Sequence, residues 1–167
     1  SLSYIFNTFS ESDVPFSTVL KEAMEKGFTE PDPREDLSGN DVGRKLLILA
    51  RELDLSNEFS DIIIQNLIPE ALREGSVADF LGKPGHVLRY IGDLSGDLQK
   101  EKGNLEVKLI SVPKESALGQ IKGSDSIIEI FTESYGENPL VIQGAGAGSA
   151  VTARGVFGDI LRIAEKG

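Results

Sequence analysis

The 167-residue chain has no cysteine. That removes disulfide frameworks, thiolate metal sites and cysteine nucleophiles, and it agrees with a reducing compartment, so a cytoplasmic location is expected. Histidine is nearly absent too: His86 stands alone, too little for a histidine metal cluster or a histidine-based triad, and it is expected to be structural or solvent-exposed. Basic charge is scarce. Seventeen Lys and Arg against 27 Asp and Glu leave a net charge of -10, which disfavours any surface that binds nucleic acid by neutralising phosphates. No apolar run approaches the roughly 20 residues needed to span a bilayer, and no basic segment followed by an apolar core opens the chain. A soluble protein with neither a nucleic-acid nor a membrane partner is expected. The start is nevertheless apolar, with Leu2, Tyr4, Ile5, Phe6 and Phe9 following Ser1 rather than a methionine, as if cut from a longer polypeptide.

What is present is enough for one compact domain with a real core. LSYIFNTF could be strand or helix, since eight residues do not separate the two periods. FSTVLKEAMEKG places Val19, Leu20, Ala23 and Met24 on one face and stops at Gly27, which predicts a helix. Pro31 and Pro33 are expected to forbid regular structure across EPDPRED. From Asp41 to Leu53 the spacing of Val42, Leu46, Leu49 and Ala50 is helical. DIIIQNLIP predicts a strand, VADFLG a short helix and VLRYIGDL another strand. The segment GDLSGDLQKEKGN is expected to be an exposed hairpin connection. LEVKLISV, SIIEIFTES and PLVIQG predict further strands, and a glycine-rich turn then leads into a last apolar-periodic helix. The sequence contains no internal repeat. The pattern predicts an α+β domain, a mixed or mostly antiparallel sheet with helices packed on one face.

Two stretches carry chemistry. Gly144, Gly146 and Gly148 free backbone N–H groups at the start of a helix, where an anion is favoured. The turn is not a dinucleotide fingerprint, which opens the first βαβ unit of its domain rather than following a late strand. The simpler reading is close packing of helix against strand. The second stretch, EPDPREDLSGNDVGRK over residues 30–45, crowds Glu30, Asp32, Glu35, Asp36 and Asp41 with Arg34, Arg44 and Lys45, then runs into LLILA. Asp41 and Lys45 lie four apart on one helix face, usually a solvated pair worth a few tenths of a kcal/mol. The sharper reading is that LLILA buries the helix on more than one side and partly desolvates Lys45 beside carboxylates that fix its position. Such a lysine can hand a proton to a developing alkoxide.

LSYIFN, FTEPDPREDLSGNDVGRKLLILARE, VLRYIG and PLVIQGAGAGSAVTARGVFGDILRIA, in that order, resemble the homoserine dehydrogenase family over nearly the whole chain. The resemblance is strongest to the type found in fungi and in bifunctional aspartokinase/homoserine dehydrogenases. It implies hydride transfer between NADP or NAD and aspartate 4-semialdehyde, forming homoserine on the route to threonine, methionine and isoleucine. By motif it implies Lys45 as the proton donor to the aldehyde oxygen, with Glu30 and Asp41 binding homoserine, Asp36 supporting that polar network and Ser1 as a further substrate contact. It implies Gly148 near the cofactor. Departures are Phe28 in place of a common tyrosine, Gly43 in place of a usual alanine, and Arg154 at a position that is usually small. The resemblance further implies that the N-terminal Rossmann domain, which holds most of the cofactor, is missing from this piece, so no metal ligand is assigned and the fragment alone is expected to be inactive. Residues 1–143 are then the catalytic and dimerisation domain. Residues 144–167 are the turn and helix that would pack against the nucleotide-binding domain. A homodimer built through the sheet is implied. The competing reading is a non-catalytic homoserine-binding or dimerisation module on the same scaffold.

Overall fold

A computed structural model describes residues 2–11, 14–29, 31–67, 84–97, 99–146 and 148–166 of the chain. Helix α1, Leu2–Glu11, settles the ambiguity of the opening segment. Leu2, Ile5, Phe6 and Phe9 follow the i, i+3, i+4, i+7 spacing of one helical face, and Ile5, Phe6 and Phe9 are fully buried. Helix α2, Phe16–Glu25, buries Phe16, Val19 and Ala23. It ends as expected at Gly27, whose φ is 69°. There the Phe28 N–H reaches the Ala23 carbonyl at 2.9 Å and the Gly27 N–H reaches that of Met24 at 3.0 Å, the paired closure that a left-handed glycine allows.

The proline-rich stretch is less irregular than expected. A short helix α3, Arg34–Leu37, begins directly after Pro33. Proline is tolerated there because the first residues of a helix have no intrahelical partner for their N–H groups, and the Pro33 carbonyl accepts from Leu37 N–H at 3.0 Å. Gly39, with φ 79°, turns the chain into α4, Asn40–Glu52. The expected strand DIIIQNLIP shrinks to β1, Ile63–Ile64. Asp61 belongs to a 3-10 turn before it, while after it the Gln65 side chain takes over, its Oε1 accepting from Leu109 N–H at 2.9 Å. The expected VADFLG helix lies outside the described residues.

Strands β2, His86–Ser95, and β3, Asn104–Pro113, form a long antiparallel pair, joined by the expected polar connection, and β1 runs parallel to β3, giving the order β1-β3-β2. A short helix α5, Ala117–Gln120, follows, then an antiparallel hairpin of β4, Asp125–Ile130, and β5, Leu140–Ala145. Helix α6, Ser149–Lys166, ends the described chain. The α+β class is as expected, but the strands divide into two sheets instead of one.

Two apolar clusters hold the main sheet to its helices. One joins α1 and α2 to Leu37, Leu67 and Leu88; the other joins Leu46 and Ala50 of α4 to Leu55, Ile62, Leu105 and Val107. Tyr90 packs against both. On the opposite face of β2, Arg89 is 4% exposed and, among the described residues, hydrogen-bonds no carboxylate. It donates to the carbonyls of Leu88, Leu118, Gly119 and Ile121 at 2.8 to 3.2 Å, and so straps the α5 segment to the sheet.

Candidate active site

The position of the site is set by how α4 meets the sheet. Its inner face, Leu46 and Ala50 with Val42 and Leu47 beside them, packs on β2 and β3. Gly92 of β2 leaves the space that the Leu46 and Val42 methyl groups fill at 3.3 and 3.4 Å. Asp41 and Lys45 neighbour that face and emerge on its shoulder, where Lys45 Nζ donates to Asp41 Oδ2 at 2.7 Å.

These two, with Asp36 from α3, line a pocket of about 90 Å³ whose other wall is Leu2 and Ser3 of α1, Ser124 and Ser126 at the start of the β4–β5 hairpin, and Gly146 just beyond β5. Three of the residues singled out in the sequence therefore converge. Gly148 does not line this pocket; it stands at the start of α6 with φ 119°. Ser1 and Glu30 lie outside the described residues. Gly146, from the glycine-rich run singled out in the sequence, joins the site. Ser3, Ser124 and Ser126 join it without having been singled out, since only tertiary packing brings them opposite α4.

The burial expected for Lys45 is corrected. Its side chain is 71% exposed. LLILA is buried on one side only, because Ile48 and Leu49 are 61% and 42% exposed. Lys45 is held by a carboxylate and faces solvent, so its position is defined by the ion pair and not by desolvation. Elsewhere in the polar stretch, Arg34 hydrogen-bonds Asp32 through side chain and backbone and brings that carboxyl down to about 2. That exposed pair lies outside the pocket. A Cβ built at Gly144 or Gly148 meets nothing within 4 Å, so the backbone at both positions is exposed.

A larger groove of about 350 Å³ lies by the β2–β3 connection and contains none of the predicted residues. Its charges neutralise one another: Lys102 with Asp61 at 2.7 Å, and Lys108 with Asp93 at 3.0 Å and Glu106 at 2.6 Å. The smaller pocket is the one that gathers the polar stretch, Asp36, Asp41 and Lys45, opposite Ser3, Ser124, Ser126 and Gly146.

The family model for homoserine dehydrogenase matches residues 1–161. A chloroplastic bifunctional aspartokinase/homoserine dehydrogenase from Daucus carota is 46% identical, over 98% of this chain and 19% of its own length. A homoserine dehydrogenase from Emericella nidulans is 40% identical, over 99% of this chain and 51% of its own. Among solved structures, a protein of unknown function from Candida auris superposes with a TM-score of 0.73 at 38% identity, over 98% of this chain and 51% of that one. Homoserine dehydrogenase from S. aureus shares the fold, with a TM-score of 0.78 at 22% identity, over 98% of this chain and 40% of that one. The chain thus spans between about a fifth and a half of the length of these relatives. With a family model covering nearly every residue and relatives at 40% identity or more along the same stretch, the chain belongs to the homoserine dehydrogenase family.

Proposed function

We propose that this chain is the catalytic region of a homoserine dehydrogenase, interconverting L-aspartate 4-semialdehyde and L-homoserine with NADP or NAD. The observation that carries the reading is the convergence of Asp36, Asp41 and Lys45 with Gly146 on one pocket. Lys45 gives its proton to the aldehyde oxygen as the carbonyl becomes an alkoxide and recovers it in the reverse direction. Asp41, bonded to Lys45 at 2.7 Å, aims that proton, and with Asp36 it draws the substrate's ammonium group, to which Glu30 adds a third carboxylate. Ser1 is a further substrate contact. The nicotinamide, when bound, supplies and accepts the hydride. Gly148, open at the head of α6, contributes a late contact to it, and the rest of its site belongs to a Rossmann domain outside residues 1–167, without which the fragment has no turnover.

The same reading accounts for the uncovered apolar surface. Every residue of β5 is exposed, as are Val151, Val156, Phe157, Ile160, Leu161 and Ile163 of α6. Exposed apolar side chains gathered on one strand and one helix are expected of an interface. Residues 1–143 carry catalysis and a homodimer contact through the sheet, and residues 144–167 pack on the nucleotide-binding domain.

The test is steady-state homoserine oxidation by the full-length protein, as wild type and as Lys45→Ala. General acid-base catalysis is worth about 100- to 10,000-fold, so kcat falls by that factor with little change in KM. A near-normal variant makes Lys45 structural. Homoserine binding without turnover in the wild type replaces this reading with a homoserine-binding or dimerisation module.

A further inference from the structure

We propose that Ser126, with Ser3 beside it, is a specificity-determining residue that receives the α-carboxylate of the substrate. The inference rests on the amino-acid dehydrogenase reading of this pocket and assigns its second wall. An amino-acid substrate enters with charges of both signs. Asp36 and Asp41 stand on the α3–α4 wall, and two carboxylates there attract an ammonium group and repel a carboxylate. Among the described residues the one cation on that wall, Lys45, is bonded to Asp41 at 2.7 Å, so Asp36, Asp41 and Lys45 together leave the wall net negative, and the Lys45 proton is assigned to the reacting oxygen. The carboxylate is therefore driven to the opposite wall, which consists of hydroxyls, a leucine and a glycine.

The geometry of that wall suits it. Ser3 Oγ and Ser126 Oγ are 3.5 Å apart, at the outer limit of a hydrogen bond, so neither is tightly committed to the other and both can donate to one carboxylate, one to each oxygen. The hydroxyls are also held in place. Asn7, buried on α1 one turn beyond Ser3, donates from Nδ2 to the Gly123 carbonyl at 2.9 Å, fixing the backbone that leads into Ser124 and Ser126. Arg89 holds the carbonyls of Leu118, Gly119 and Ile121 a few residues earlier. Behind Ser126 lies Gly146, where a Cβ would collide with the serine side chain. The missing side chain at 146 is what lets Ser126 sit in this wall.

The experiment uses the full-length protein as wild type, Ser126→Ala and the size-preserving Ser126→Cys. It measures KM and kcat for L-homoserine, and the inhibition constant of 3-aminopropan-1-ol, which keeps the ammonium and hydroxyl groups and lacks the carboxylate. The loss of one hydrogen bond to a carboxylate at an open site predicts a rise in homoserine KM of about 3- to 10-fold with kcat within about twofold. The inhibition constant of 3-aminopropan-1-ol stays unchanged. An unchanged KM overturns the assignment, and so does an equal weakening of both ligands, which marks a general disturbance of the pocket. If the alanine variant does not fold, the cysteine variant decides by the same criteria. A wild type that fails to oxidise homoserine sinks the functional reading itself, whereas an active wild type with a normal Ser126→Ala sinks only this inference.

Discussion

Gly39→Ala should be among the most damaging single-methyl additions in this fold. Gly39 joins α3 to α4 with φ 79°, a region that costs an L-residue about 1 to 2 kcal/mol. A Cβ there would strike the Tyr90 hydroxyl and come within 2.9 Å of Ile64 Cγ2, and overpacking of this kind costs about 1 to 3 kcal/mol. The gain from a stiffer unfolded chain is about 0.4 to 1 kcal/mol, so the net loss should be about 1 to 5 kcal/mol. Tyr90 has nowhere easy to go, because its hydroxyl donates to the Gln65 carbonyl at 2.7 Å and its ring packs against both core clusters. Urea unfolding followed by circular dichroism would read the loss. The cause is isolated by Tyr90→Phe: alone it should cost about 1 kcal/mol for the lost hydrogen bond, but in the Gly39→Ala background it should be neutral or stabilising, since it removes the oxygen that the methyl strikes. Additivity of the two changes within about 0.5 kcal/mol, or a Gly39→Ala cost below about 1 kcal/mol, would refute the argument.

Three further outcomes follow from single contacts. Asp41→Asn should separate activity from stability: the exposed Lys45 pair contributes only about 0.3 to 0.5 kcal/mol, so the melting temperature should move by no more than about 2 °C while kcat/KM for homoserine falls at least about 10-fold. Arg89→Met removes a buried donor from the Leu88, Leu118, Gly119 and Ile121 carbonyls and should cost about 3 kcal/mol, with faster amide exchange over residues 118–123 as the local readout. Burial pushes the Tyr90 hydroxyl up to about 12. Between pH 10 and 12 the unfolded chain therefore releases a proton that the folded chain keeps. The stability due to this group is complete below the unfolded value near pH 10 and is lost as pH rises toward 12, by about 1 kcal/mol after allowance for solvent at its hydroxyl. Tyr90→Phe should flatten that part of the pH–stability profile.

Much of the fold is legible because local pattern and tertiary role agree. Val19, Ala23 and Gly27 announce α2 in the sequence, and α2 buries that face and closes on that glycine. The alternation of β3 survives as alternating burial of Leu105 and Val107. Reading fails where a side chain replaces backbone structure. Gln65 completes the pairing that a longer β1 would have made, and Pro33 opens a helix although the sequence suggests only an interruption. In the site, Asp36, Asp41 and Lys45 are legible because they share one short polar segment. Ser124 and Ser126 are not, because their relation to Lys45 exists only after the hairpin folds back across α1. Periodicity shows which way Lys45 points and leaves open how deep it lies, and depth is what the sequence misjudges.

The two walls of the pocket are anchored in different ways, and this bears on what each can contribute. Asp41 and Lys45 ride on a helix whose inner face is fixed by Leu46 and Ala50 in the core, by the fit of Val42 and Leu46 over Gly92, and by the Gly39 contact to Tyr90. The proton donor proposed at Lys45 needs such a base, since a displacement of about 1 Å can cost about 100-fold in rate. The hydroxyl wall belongs to a hairpin whose second strand is exposed along its length, and Asn7 and Arg89 hold the 118–123 segment that leads into it. If the proposed roles hold, a partner covering that hairpin would act on the wall proposed to orient the substrate, while the wall proposed to move the proton is held by the core. The proposed division places rigidity where proton transfer demands it.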